Sequence, residues 1–204
     1  MDRQEYLNQI SAVNRPANKP KSGIFASKFF WVGAIGLAVL VLIIIIGAVL
    51  GGGKTSNKDK LFALILHIDN TSSVIDEYQS NVKSSDLRSY SASLNSVLSN
   101  TSNGLTSYAE EKYNFKAKEV DKKITEEETT AKDGLMDELF EAKINGILDR
   151  IYTHKMAYEI SLITSREAQL LKSSSNDALT EILTTSYNSL NNLYNKFNDF
   201  SEAN

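Results

Sequence analysis

The residues best suited to chemistry follow a long apolar run. Ala48-Val49-Leu50-Gly51-Gly52-Gly53-Lys54-Thr55 nearly matches the pattern G-x-x-x-x-G-K-[ST], in which glycine amides cradle a phosphate and a lysine neutralises it. The first glycine is replaced by Ala48, the preceding run is too long for one strand, and no βαβ pattern follows to build the sheet such a loop needs. The segment is therefore expected to be a glycine linker, not a nucleotide site. A metal pair on one helix face needs a second ligand three or four residues away. His67 has Ala63, Leu64, Asn70 and Thr71 at those positions, and His154 has Arg150, Ile151, Ala157 and Tyr158. Both histidines are expected at the surface or bundle edge, with a metal assembled between helices left open.

With no cysteine, two unpartnered histidines and serines spread throughout, no nucleophile and base can be placed together. No catalytic residue, cofactor or metal is assigned, and the chain is expected not to be an enzyme; a tight cluster of carboxylates or histidines in the folded bundle would reopen that reading. Glu126, Glu127 and Glu128 form an acidic run that suits the positive end of a helix and is expected to be solvated. Asn70-Thr71-Ser72 and Asn100-Thr101-Ser102 match the glycosylation sequon, as an Asn/Ser-rich chain does by chance.

The elements that must position these residues begin with a membrane anchor. Phe29 to Leu50 is 22 residues without a charged, amide or hydroxyl side chain. As a helix it would span about 33 Å, enough for a hydrocarbon core of roughly 30 Å. Lys28, Phe29, Phe30 and Trp31 at one end and Lys54 at the other suit the two membrane interfaces. The run is longer than the apolar part of a cleavable signal peptide and ends in Val49-Leu50-Gly51 without an A-x-A-like site, so an uncleaved signal-anchor is expected. Gly47 with Gly51, and Ala34 with Ala38, have the small-x-x-x-small spacing that lets two membrane helices approach, so a homodimer is possible.

Residues 1–28 carry five bases against two acids and both prolines, and read as a disordered basic tail. Residues 51–204 carry 17 bases against 23 acids. Positive-inside bias then favours a cytoplasmic N-terminus and an extracytoplasmic acidic domain, joined by a linker over 51–57. That acidity argues against nucleic acid as a partner. The lipid bilayer and a protein or cell-wall component remain as the expected partners.

From residue 58 onward there is no proline, and apolar residues recur at helical spacing. The pattern predicts an all-α, antiparallel, four-helix bundle with helices over about 58–83, 86–122, 125–172 and 177 to the end. Turns are expected at Ser84-Ser85 and Ser173–Asn176. Thr125 to Glu128 fits a capping box, and Asp133-Gly134 offers a further turn.

The order of tail, anchor and outer bundle resembles the sensory half of chemoreceptors with four-helix-bundle ligand domains, which implies a small-ligand site between helices. No signalling output is expected, because no second membrane helix follows the last amphipathic segment. Lys21-Ser22-Gly23-Ile24-Phe25-Ala26-Ser27-Lys28 resembles a type IV prepilin leader, except that Lys28 stands where that family has glutamate. The first 54 residues resemble small single-anchor envelope proteins of reduced-genome bacteria such as Saccharibacteria. That likeness implies a cell-envelope location and no activity.

Overall fold

The computed structural model describes residues 56–203, and its helices are numbered here within that range. The tail, the segment 29–50, the interface residues Lys28, Phe29, Phe30, Trp31 and Lys54, and the small residues Ala34, Ala38, Gly47 and Gly51 lie outside the described residues. Within them no helix is long and apolar enough to cross a membrane. The described chain is all α-helical apart from short 3₁₀ turns: α1 (Asn57–Tyr78), α2 (Ser85–Tyr113), α3 (Lys122–Ile144), α4 (Leu148–Ser173) and α5 (Asp177–Ala203).

Local chemistry sets most of these boundaries. Ser56 caps α1 by accepting from the Asp59 amide, and Ser84 caps α2 by accepting from the Leu87 amide. Asn176 Oδ1 accepts from the Leu179 amide at the start of α5, as the turn at 173–176 predicts. The many hydroxyls inside the helices are mostly satisfied one turn back: Thr71 donates to His67 O, Ser91 to Leu87 O, Thr101 to Val97 O and Thr164 to Ile160 O. This bonding lets weak helix formers sit on buried faces without orphaned polar atoms.

Helix α2 runs unbroken through Gly104, as its apolar period predicts. A Cβ there would come 3.3 Å from Ile182 of α5, so the glycine allows a close helix–helix approach. The helix stops at Tyr113, short of residue 122, because Asn114 turns into the left-handed region at φ 52°.

The long helix expected over 125–172 is two helices. Gly146 takes φ +72°, Ile147 N–H bonds Ala142 O at 3.0 Å, and Gly146 N–H bonds Lys143 O at 3.2 Å. This is a Schellman ending, which reverses the chain within three residues. Asp133-Gly134 makes no turn; both residues lie within α3. The capping box is also absent: Asp121 caps α3 through the Lys123 amide, and the Thr125 hydroxyl donates back to Asp121 O.

Cross-helix contacts fix the arrangement. Asp69 and Asp76 of α1 meet Ser102 and Asn95 of α2 in reversed order, so these helices are antiparallel. Thr101 and Tyr90 of α2 meet Ser186 and Phe197 of α5, again antiparallel. Helix α4 packs against α5 and runs antiparallel to α1, since His67 meets Glu159 while Ala63 meets Arg166. Helices α1, α2, α5 and α4 thus form a closed four-helix ring around one apolar core that includes Leu64, Ile68, Leu94, Leu98, Ile160, Leu183 and Phe197. Helix α3 lies outside the ring against α1 and α4. It runs parallel to α1, because Glu128 meets His67 and Met136 meets Tyr78.

Candidate functional site

Two features of the bundle could carry function. The first is a cluster of charge at the seam of α1, α3 and α4. Helix α3 buries only Glu128, Leu135, Leu139 and Ala142, a narrow stripe. Polar contacts reinforce it: Asn70 Nδ2 donates to Glu128 O at 3.1 Å, Tyr78 OH to Met136 O at 3.0 Å, Lys132 Nζ to Ser73 Oγ at 3.0 Å, and Lys155 pairs with Glu138.

At the centre, His67 is 5% exposed and lies between two carboxylates. Its Nδ1 is 2.8 Å from Glu128 Oε2, and its Nε2 is 3.0 Å from Glu159 Oε2 in an ion-pair contact that is not aligned as a hydrogen bond. Arg166 completes the cluster, donating to Glu128 Oε1 at 2.6 Å and to Ala63 O at 3.3 Å. Burial works against charge on the imidazole, but the bond to Glu128 and the contact with Glu159 outweigh it and raise the His67 pKa. Burial likewise opposes ionisation of Glu128, and the bond from His67 with the nearby Arg166 charge reverses the sign and lowers its pKa. Both shifts favour the charged form of the His67–Glu128 pair.

This arrangement corrects two expectations. His67 is a core residue, and Glu128 of the acidic run is buried at 6% exposure. His154 is exposed, as expected. The partners of His67 come from other helices, which spacing along α1 cannot reveal. The cluster brings together the kind of groups that general acid–base chemistry uses, but both ring nitrogens already face carboxylates. The two carboxylates approach from different ring atoms, so they do not converge on one ion. Among the described residues no group of three His, Asp or Glu is arranged to hold a metal.

A third buried carboxyl sits inside the four-helix ring. Glu167 is fully buried, and neither oxygen has an aligned hydrogen-bond partner. Burial pushes its pKa up to about 8, with the Ser186 hydroxyl pulling the other way. The side chain is therefore neutral at pH 7 in the folded protein.

The second feature is a surface. Phe140 is 56% exposed, Ile144 68% and Ile147 39%, all at the α3–α4 corner. Beside them a groove of about 1010 Å³ opens between the α1–α2 turn, the α3–α4 turn and the end of α5, lined by Lys83, Lys143, Ile147, Leu148, Arg150 and Phe200 among others. Asp149 also lines it, but its two carboxylate oxygens accept from the Lys83 and Ser84 amides at 2.9 and 2.8 Å, tying α4 to the α1–α2 turn. No protein-family model, no curated protein and no solved structure matches the chain.

Proposed function

We propose that the protein is a single-pass, membrane-anchored helical interaction module of the cell envelope, with its N-terminus cytoplasmic and its bundle outside, acting through a surface and without turnover. The observation that carries this reading is the exposed Phe140–Ile144–Ile147 corner on a bundle whose other large apolar side chains are mostly buried. Clustered exposed apolar side chains beside a polar rim are typical of protein contact sites. The self-satisfied His67 cluster supports the absence of chemistry, because its acid and base groups are committed to one another. The apolar run 29–50 supports the anchor.

The test is a pull-down after cross-linking in cells, using full-length tagged protein and the double variant Phe140→Ser, Ile144→Ser. Capture that depends on those two side chains supports the reading, and equal capture by both proteins counts against it. A second reading, a small-ligand bundle like a chemoreceptor sensor, draws on the groove with its cations Lys83 and Arg150. A melting-temperature screen of small anionic and amphipathic compounds tests it.

A further inference from the structure

Helix α3 is held less firmly than the helices it lies on. It buries four side chains, Glu128, Leu135, Leu139 and Ala142, where α1 and α4 bury ten each. Its bonds from Lys132 to Ser73 and from Lys155 to Glu138 lie at the rim, where water competes for them. Of the four buried side chains Glu128 alone is ionisable, and its partner His67 belongs to α1. The charged groups that face the imidazole are Glu128 from α3 and Glu159 and Arg166 from α4. The grip of α3 on the ring therefore runs through a group that titrates near neutral pH.

A neutral imidazole carries one N–H, and the imidazolium carries two. Nδ1 of His67 is 2.8 Å from Glu128 Oε2, and Nε2 is 3.0 Å from Glu159 Oε2. The neutral ring can serve only one of them. In either tautomer the other nitrogen turns a lone pair towards a carboxyl oxygen, inside a site where the ring is 5% exposed and little water can intervene. Glu159 is fixed within the four-helix ring by the rest of α4. Glu128 rides on α3 and reaches water if that helix lifts, which leaves the single N–H of His67 to Glu159.

We propose that His67 is a pH-sensitive latch for α3: the imidazolium pins the helix across α1 and α4, and loss of its proton lets α3 undock. Docked, His67 holds its proton above the ordinary histidine range; undocked, it loses the bond to Glu128 that keeps it there. The latch is closed below about 6.5, and above that the undocked fraction rises by up to about tenfold per pH unit until the docked value is passed. The lowered Glu128 pKa keeps the carboxylate side of the latch intact down to about 4.5. Undocking carries Leu135 and Leu139 into water beside the already exposed Phe140 and Ile144, so pH sets how much apolar surface the protein presents. Undocking needs no partner at that surface and so stands apart from the interaction-module reading.

Amide hydrogen exchange of the full-length protein, read by mass spectrometry and corrected for the intrinsic effect of pH on exchange, reports the latch directly. At pH 8 the central amides of α3 should be protected about tenfold less, or weaker still, than the slowest amides of α2 and α5, the mark of a local opening. Their protection should fall several-fold between pH 6 and pH 8. Glu167 also titrates in this range but stays buried in the ring while α3 undocks, so it does not move this readout. His67→Gln removes the titrating group and should leave α3 as weakly protected at pH 6 as at pH 8. Glu128→Gln, which takes the charge from the α3 side, should do the same and serves as the second variant if the first does not fold. Protection of α3 equal to that of the ring, no fall with pH, or a fall that survives in both variants overturns the proposal.

Discussion

Glu167 is a carboxyl whose burial disfavours its charge more than the Ser186 hydroxyl favours it, and its effect on stability has a definite sign. Its folded pKa, about 8, lies above that of the unfolded chain. The contribution to stability is therefore fully present below the ordinary glutamate pKa and is lost as pH rises through about 8. In urea denaturation, the stability of Glu167→Leu relative to wild type should rise with pH from about 5 to 8, with a slope approaching 1.4 kcal/mol per unit. A flat difference would show that the carboxyl reaches solvent. The His67 cluster is limited on both sides. The raised His67 pKa makes its contribution complete below about 6.5 and lost as pH rises through the folded value, whereas the lowered Glu128 pKa makes its contribution complete above about 4.5 and lost as pH falls. Removing the shared anion by Glu128→Ala should cost about 3 kcal/mol, because the buried His67 and the partly buried Arg166 lose their common partner. The same change should lower the His67 pKa, which ring-proton NMR reads directly.

Both residues were partly legible in sequence. Glu128 lies seven, eleven and fourteen residues before Leu135, Leu139 and Ala142, the stripe that α3 buries. Its place in a run of three glutamates hid that phase. His67 shares the stripe of Leu64, Thr71 and Tyr78. What no single-helix pattern could supply is the pairing itself, since the carboxylates arrive from residues 61 and 92 positions further along the chain.

At the scale of elements, the missed boundary at 145–147 shows how two signals compete. Ile144, Ile147, Leu148 and Ile151 keep a helical period straight through the turn, so periodicity alone predicts one helix. Asn145-Gly146 is the contrary signal, a pair suited to a left-handed C-terminus, and the structure follows it. The exposed Ile144 and Ile147 explain the false continuity: they serve the surface instead of the core. Gly146→Ala should cost about 1 kcal/mol or more in chemical denaturation, because only the φ requirement opposes it and no atom stands within 4 Å of the added Cβ. By contrast, the caps at Ser84 and Asn176 were readable because they depend on side chains a few residues from the backbone groups they satisfy.

For the whole molecule, the all-α bundle was legible because burial stripes persist over several turns, and the order of packing was not, because four apolar stripes fit more than one arrangement. The ring contains α1 and α5 running one way and α2 and α4 the other, so α2 cannot pass directly into α4 by a tight turn. Helix α3 is the return leg that carries the chain from one end of the bundle to the other. The described chain is thus two helical hairpins, α1–α2 and α4–α5, coupled by a strap on the outside. The strap's contribution to the central core is small, so continuity of the chain matters less than the meeting of the hairpins. Cutting the connection at 114–121 should leave two fragments that reassemble when co-expressed, and co-purification of a tagged first fragment with the second would measure it. The return leg would then behave as a lash across the seam between two halves, able to loosen from its own ring while those halves stay together.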